Sequence, residues 1–455
     1  MRLQMISAGY EIVPFEERAD VYIINTCSVT NIADRKSRQM IHRARSKNPE
    51  AIVVAAGCYV QASAKDLLDE GCADILIGNN QKKDVPALIE EYLSTKSPVM
   101  RVEDLGRCRE YENLELTDRV DHARAFIKIQ DGCDQFCSYC IIPFTRGRVR
   151  SRKPEDILAE TRTLAAQGYR EIVLTGIHIS SYGLDFPKEE TTQQSDTQQP
   201  VVPSLEADTK EAVTQPGQQK SVWPERPLLD LLGELQKVDG IERIRLGSLE
   251  PRIITPQFVK EIAAMPKVCP HFHLSLQSGC NATLARMNRR YTAEEFAESL
   301  ALLREAYEHP AITTDVITGF AGETEEEFAE SREFLEKIGI YEIHVFPYSV
   351  RKGTRAEKMP HQNPESVRKE RCRELLALTE RQSHAFREWY LGRTTQILTE
   401  EQVEIDDRIY TVGFTKEYVK LAIEGGKWEL GTILPVKVTG FLTPDKMLAE
   451  PLKIE

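Results

Sequence analysis

Three cysteines in the run Asp131-Gly132-Cys133-Asp134-Gln135-Phe136-Cys137-Ser138-Tyr139-Cys140 constrain this chain more than any other feature. The spacing C-x3-C-x2-C puts three thiolates into one short loop, directly after the apolar residues 125–129. Three such thiolates can bind three irons of a 4Fe–4S cube and leave the fourth iron open to chelate a small molecule. A tetrahedral zinc site would call for a fourth Cys or His close by, and none follows in the next dozen residues. The chain has ten cysteines, the others scattered, a pattern that in a reducing compartment favours metal binding or free thiols over disulfides.

A length of 455 residues allows two or three domains with a sizeable core. The chain opens on a short polar-mixed stretch, lacks an apolar run of some 18 residues and ends without a lipidation signal, so the expectation is a soluble, cytoplasmic protein with no membrane partner. The net charge of -12 argues against a generic nucleic-acid binder. Locally the picture differs: residues 141–153 hold Arg146, Arg148, Arg150, Arg152 and Lys153 and no acidic residue. That row is a candidate RNA-binding element, whereas the basic clusters at 35–47, 286–290 and 351–358 read as solvated faces.

The first hundred residues alternate buried strands (19–26, 51–56, 73–77) with helical patterns (32–46, 64–70, 85–93), which indicates an open parallel α/β sheet. Residues 95–120 read as a charged linker. Alternation then restarts with strands at 125–129, 171–177, 243–246, 272–276, 314–318 and 342–347 and helices at 154–167, 256–265, 292–307 and 324–338, a partial (β/α)6 barrel with its chemistry at the C-terminal strand ends. Between 185 and 225 the pattern dissolves into Gln, Thr, Glu, Ser and Pro, which reads as a disordered insertion. A long helix at 364–390 leads to short strands at 394–398, 408–413, 418–423 and 432–439, with turns such as Glu424-Gly425-Gly426, expected to form a small antiparallel β-barrel. The domains expected are 1–105, 120–388 and 391–455.

Two further cysteines stand out. Cys27 follows the first strand and Cys58 the second, both at the C-terminal edge of the sheet, where open α/β sheets place ligands and helix N-termini favour a thiolate. The runs NTCSVT, GCYVQ, DGCDQFCSYCIIPFTRGRVRSR, LTGIHISSYG, GSLEP, HLSLQSG, ITTDVITGFAGETEEEF and HVFPYSVRKGTRA resemble those of the radical-SAM methylthiotransferases. Within that family, TGIHISSYG, HVFPYSVRKGTRA and NTCSVTN…RKSRQ resemble the bacterial enzymes that act on threonylcarbamoyladenosine (t6A) in tRNA. The resemblance covers nearly the whole chain apart from the insertion.

The resemblance implies an N-terminal α/β domain with an auxiliary 4Fe–4S cluster, a radical-SAM barrel and a C-terminal TRAM-like barrel. It implies that Cys133, Cys137 and Cys140 hold a 4Fe–4S cluster that binds S-adenosylmethionine (SAM), with Tyr139 beside the adenine. Candidate SAM contacts are Gly176, Ser248, Glu250, Gln277 and Asp315, with Glu250 and Asp315 accepting from the amine or ribose hydroxyls. The reaction implied is insertion of sulfur at C2 of adenine in t6A next to the anticodon. No side-chain acid or base suffices for an unactivated C–H, so SAM must supply a radical, and a second SAM the methyl group. Partners implied are the tRNA anticodon stem-loop, an electron donor such as flavodoxin or ferredoxin, and a sulfur donor. Phosphates are expected on Arg146, Arg148, Arg150 and Arg152. The C-terminal barrel, slightly acidic, is expected to use a local patch with Phe414 and Tyr418, so that deleting it removes tRNA binding and spares SAM cleavage.

One departure from the family pattern concerns the auxiliary cluster. The family's first ligand lies in a Gly-Cys-x-x-Asn element on an earlier strand and helix, and Met1 already falls in what resembles that helix. The expectation is therefore that the natural start lies upstream, with Cys72 or Cys108 as substitute ligands or a tRNA-binding protein impaired in catalysis as alternatives. Isopentenyladenosine in tRNA, or a ribosomal protein, are the alternative substrates. His271 and His273 alternate along a strand, which could suggest a metal pair, but they are expected to pack or hydrogen-bond, and Cys269, Cys280 and Cys372 to be ordinary thiols.

Overall fold

The computed structural model describes residues 1–113, 123–187, 225–425 and 428–452. The insertion read at 185–225 lies almost wholly outside the described residues, as do Gly426 and the later part of the linker read at 95–120.

Four parallel strands, β1 (Val21–Thr26), β2 (Ile52–Gly57), β3 (Ile75–Ile77) and β4 (Val99–Arg101), lie side by side in chain order. β2 is buried at every position, as an inner strand covered on both faces must be, while β1 at the edge alternates. β4 corrects the linker reading of 95–120: three residues carry no periodicity, and only pairing with β3 reveals them as a strand. The helix Cys58–Asp69 starts six residues earlier than periodicity suggests, with a kink at Ser63. Its start is set by Gly57 at φ 110°, where an added Cβ would sit 2.6 Å from the Thr26 carbonyl oxygen.

The second unit contains β5 (Arg124–Lys128), the short antiparallel pair β6 (Gln130–Asp131) and β7 (Arg150–Ser151), then β8 (Glu171–Thr175), β9 (Arg243–Leu246), β10 (His271–His273), β11 (Ala311–Thr318) and β12 (Glu342–Pro347). Parallel sheets β5-β8-β9 and β10-β11-β12 join through the bridges Ile244–Val268 and Leu249–Leu274. Six parallel strands thus follow chain order and form a partial (β/α)6 barrel. Its outer face buries Ile172, Leu174, Ile244, Phe272 and Leu274 against helices that include Pro256–Ala263 and Ala293–Ala306. Strong caps fix where the helices begin: Thr292 with Glu295, and Thr324 with Glu327, each form a complete capping box.

Beyond the helix Glu365–Glu388, strands β13 (Thr394–Ile405), β14 (Arg408–Phe414), β15 (Lys420–Glu424), β16 (Ile433–Thr443) and β17 (Lys446–Pro451) close a barrel in the order β13-β14-β15-β17-β16. All pairs are antiparallel except β15–β17, which corrects the all-antiparallel expectation, and β17 is a strand that turn signals did not announce. Closure removes the exposed edges that five short strands would otherwise present.

This small barrel seals the N-terminal end of the larger one. Arg243 donates to the carbonyls of Phe414 (2.9 Å) and Gln396 (3.0 Å), and Arg245 to those of Lys416 (2.8 Å) and Thr415 (3.3 Å). Glu171, only 1% exposed, lies 3.0 Å from Arg245, 3.7 Å from Arg124 and 3.8 Å from Arg243. Phe414 and Tyr418 stack on each other at 4.5 Å and carry the Arg124 guanidinium over both rings, at 4.9 and 4.8 Å. The expectation that these two rings are free to stack on RNA bases is thereby corrected. The truncation test fails for the same reason: removing residues 391–455 would strip three buried arginines of their partners, so we expect an aggregating fragment rather than a SAM-cleaving one, read by size-exclusion chromatography.

Candidate functional site

The cysteine loop leaves β6 through Gly132, at φ 73°, where a Cβ would fall 1.8 Å from the Arg148 carbonyl oxygen. Glycine is obligatory there, because the loop is clamped onto the segment behind it: the Cys133 amide donates to the Gly147 carbonyl at 3.0 Å. On its other side, the Ser138 amide donates to Met287 O (3.0 Å) and its hydroxyl to Arg286 O (2.8 Å), while Asn288 donates to Phe136 O (3.0 Å). Gln130 braces the base of the loop, donating to the carbonyls of Asp131 and Gly132 and accepting from the His178 amide.

Cys133, Cys137 and Cys140 converge on a cavity of about 150 Å³ at the C-terminal ends of the barrel strands. Tyr139, Ser248, Glu250 and Gln277 line the same cavity, as the sequence reading placed them. Two candidates are not among its lining residues. Gly176 has a packing reason to be glycine, since a Cβ would stand 2.9 Å from Gln130 Oε1 and displace the brace. Asp315 is held between two histidines, 3.3 Å from His273 Nε2 and 3.3 Å from His344 Nδ1, which corrects its assignment to SAM. His273 is thus hydrogen-bonded, to Asp315 and to Thr313 Oγ1 (3.0 Å), whereas His271, buried against Tyr418, is held neutral by that burial.

The Asp315 carboxylate should respond measurably to this arrangement. Burial would raise it, but the two imidazoles hold it well below the ordinary carboxylate range, and hydrogen bonding to it raises His344. A raised histidine stabilises the fold below its unfolded value near 6.5, and that contribution fades as pH rises through its folded value. Asp315→Asn should return His344 toward the ordinary imidazole value in a histidine NMR titration; an unmoved His344 would assign its shift to Glu342 instead.

Reasoning from the sequence missed Arg289, read as part of a solvated cluster. It is half-buried, donating to Cys137 Sγ (3.3 Å), Ser275 O (3.1 Å) and the Tyr291 hydroxyl (2.8 Å). Its charge compensates the thiolate of a ligated Cys137. Burial pushes the Cys133 thiol up to about 11 and Cys140 to about 12, so both stay protonated until a metal centre binds.

The spacing of the thiols tests what they can hold. Among the described residues, groups of three His, Cys, Asp or Glu ligand atoms mutually within 4.8 Å are His42–Glu70–Cys72 and His273–Asp315–His344, and neither includes the loop cysteines. Thiolates around one tetrahedral zinc stand only about 3.8 Å apart, given a Zn–S bond of about 2.3 Å. The wider trio fits a polynuclear iron–sulfur cube, with a cavity left over its open corner.

At the edge of the first sheet, Thr26 pairs with Gly57, so Cys27 and Cys58 follow adjacent strands at the same level. Cys27 is exposed; Cys58 is buried and its Sγ accepts from Arg146 Nε (3.2 Å) and Asn79 Nδ2 (3.3 Å). Asn79 follows β3 just as the two cysteines follow β1 and β2, so the strand-end rule applied once more would have found it. Of the two substitute ligands considered, Cys72 precedes β3 and so belongs to the opposite edge of the sheet. Cys108 Sγ lies 2.9 Å from Asn80, on the same side as Cys58.

The arginine row divides. Arg150, 2% exposed, donates to the Arg146 carbonyl and to Asn80, and buried Arg152 is ion-paired with Glu160, so neither can reach a phosphate. Arg146 is committed to Cys58 and Asp131. Only Arg148 keeps an accessible guanidinium, 42% exposed, set over the Phe136 ring and 3.4 Å from the Asp134 carboxylate. Strand geometry explains the split, because β7 turns Arg150 inward toward Asp131. Arg351, from a cluster read as solvated, is also buried and locks the two units together through Ser28, Asn31 and Asp34 at 2.7–2.8 Å.

Comparison with known proteins follows this geometry. The radical SAM superfamily profile matches residues 127–335, and that of the uncharacterized protein family UPF0004 matches residues 1–78. The chain is 37% identical over 433 residues to the threonylcarbamoyladenosine tRNA methylthiotransferase MtaB of Bacillus subtilis, covering 95% of this chain and 88% of that protein. The chain belongs to the radical-SAM methylthiotransferases. MtaB of Aquifex aeolicus is also 37% identical, with 96% and 95% covered. The tRNA-2-methylthio-N(6)-dimethylallyladenosine synthase of Protochlamydia amoebophila is 33% identical, with 94% and 87% covered. Among solved structures, the radical SAM methyltransferase TsrM of Kitasatospora setae superposes with a TM-score of 0.51 at 14% identity, over 75% of this chain and 66% of that one, a likeness of fold alone. As a radical-SAM enzyme, this methylthiotransferase works with a 4Fe–4S cluster and SAM, and the cysteine cavity is where its residues fit them. Among the described residues, no helix is long and apolar enough to cross a membrane.

Proposed function

We propose that this methylthiotransferase modifies tRNA at C2 of the adenine of t6A next to the anticodon, giving 2-methylthio-t6A. The observation that carries the reading is the match along nearly the whole chain to two enzymes named for that nucleoside, 37% identical to each. The dimethylallyladenosine relative at 33% identity keeps isopentenyladenosine as the second reading.

In this reading Cys133, Cys137 and Cys140 hold the cluster, and Tyr139, Ser248, Glu250 and Gln277 hold SAM in the adjoining cavity. Bound there, the cluster and SAM supply one-electron chemistry able to break an unactivated C–H bond. Arg289 fixes Cys137, and the Gln130 brace fixes the loop, so the ligands are positioned before the cofactors arrive. Cys27 and Cys58 contribute to an auxiliary cluster, with Arg146 and Asn79 orienting Cys58. Arg148 offers one phosphate contact on the rim. An electron donor such as flavodoxin or ferredoxin and a sulfur donor complete the reaction, and its setting is the cytoplasm, where tRNA is.

Mass spectrometry of tRNA nucleosides, from cells lacking methylthio-adenosine activity and expressing this chain, tests the reading. Methylthio-t6A supports it. Methylthiolated isopentenyladenosine would replace it with the second reading, and modification of neither nucleoside would remove both.

A further inference from the structure

Between the first sheet and the inner face of β5 lies a cavity of about 210 Å³ that none of the assigned residues explains. Asn79 and Arg146, the two donors to Cys58 Sγ, form part of its wall, so it adjoins that cysteine. Four cations reach it: Lys82, Lys128, Arg146 and Arg152. Three are already ion-paired, Lys128 and Arg146 with the shared Asp131 carboxylate at 2.5 and 3.5 Å and Arg152 with Glu160. Lys82 is different. Its ammonium makes one hydrogen bond, to Asn25 Oδ1 at 3.3 Å, and no ion pair among the described residues. Burial and then the nearby Arg146 guanidinium hold it below the ordinary lysine value; the Glu112 carboxylate on the same wall acts against them but forms no ion pair with Lys82 among the described residues and accepts instead from the Lys83 amide at 3.2 Å. Opposite, the Phe126 ring is 49% exposed although it sits on a barrel strand, presenting an apolar face to the same space.

We propose that Lys82 binds the free carboxylate of the threonylcarbamoyl group of t6A and so selects this nucleoside over adenosines with an uncharged N6 substituent. This rests on the proposed function and deepens it. A single enclosed ammonium beside an aromatic face matches a monoanion attached to a planar base, whereas backbone phosphates lie outside, on the rim. A dimethylallyl group would enter the same cavity and leave the ammonium desolvated and unpaired. The site thus discriminates by penalty as well as by attraction.

The test uses equilibrium binding of anticodon stem-loop RNAs carrying t6A, its methyl ester, dimethylallyladenosine or plain adenosine, with the wild-type chain and Lys82→Met, Lys82→Gln and Lys82→Arg. Wild type should bind the acid roughly tenfold or more tighter than the ester, as a charge-assisted contact implies. Lys82→Met and Lys82→Gln should bind acid and ester alike, and Lys82→Arg should recover part of the preference. Equal affinity of the wild type for acid and ester overturns the proposal without any variant. A preference for the acid that survives in Lys82→Met and Lys82→Gln leaves the t6A reading standing and removes Lys82. Tightest binding of the dimethylallyl RNA, or binding to none of the four, refutes the t6A reading itself.

Discussion

Cys140→Ala will abolish the release of 5′-deoxyadenosine from SAM after reduction, leaving it at the level of a blank without enzyme. The reason is geometric. Cys133, Cys137 and Cys140 share one cavity wall, the loop that carries them is clamped on both sides by backbone hydrogen bonds, and no other cysteine lines that cavity. Losing one thiolate leaves two of the three cysteine ligands, too few to hold the cluster with an open iron for SAM. The variant should also lose the iron and acid-labile sulfide of one cluster while far-UV circular dichroism stays unchanged, because backbone hydrogen bonds clamp the loop independently of the cluster. Cys372→Ala, partly buried in the helix Glu365–Glu388, should behave as wild type. Retained 5′-deoxyadenosine release in Cys140→Ala would sink the assignment of this loop. The same measurement on Cys27→Ala separates the two sites, since that variant should still cleave SAM but form no methylthiolated product.

The second large effect concerns stability. Glu171→Ala should cost about 3–5 kcal/mol, the usual cost of taking one partner from a buried ion pair. Arg245 at 3.0 Å, with Arg124 and Arg243 farther off, would share an interior in which the remaining ion pair among the described residues is that of Arg124 with Glu400 on the small barrel. Carbonyl groups still accept from Arg243 and Arg245, so the loss should appear first as undocking of the small barrel. Limited proteolysis between the long helix and β13 would read it, beside urea denaturation. The pH dependence follows from the same cluster. Burial would raise the Glu171 carboxyl, but Arg245, Arg124 and Arg243 hold it below its ordinary 4.5. A lowered carboxylate stabilises the fold above the unfolded value and loses that contribution as pH falls through the folded one. Wild type should therefore weaken below about pH 4.5, while Glu171→Ala lacks this component of the acid transition. Equal stability of the two proteins at pH 7 would show that the backbone carbonyls alone hold the arginines.

Much of this protein is determined locally, and those parts were legible in the chain. The C-x3-C-x2-C spacing, the strand ends that carry Cys27 and Cys58, the period-3.6 helices with their Thr–Glu caps and the six βα repeats depend on contacts within a few residues or on a repeating pattern. A linear sequence records both. Gly132 and Gly57 do not belong with them, because the carbonyls that leave room for glycine alone, those of Arg148 and Thr26, come from other segments of the chain. What the fold alone decided is which charges remain free. Arg146, Arg148, Arg150 and Arg152 look alike in the chain, yet only Arg148 faces solvent. Asp131, Glu160 and Cys58, which claim the others, reach them through β-pairing and the packing of two units. Arg351 went from solvated to buried and Arg289 from solvated to half-buried for the same reason, and Phe414 and Tyr418 from an RNA surface to a barrel floor. Lys82 is the converse, one of two adjacent lysines in a polar stretch, whose significance arises only when a second unit encloses it. Burial and pairing are properties of neighbours in space, and residues as distant in the chain as 82 and 126, or 31 and 351, become neighbours only when the chain folds.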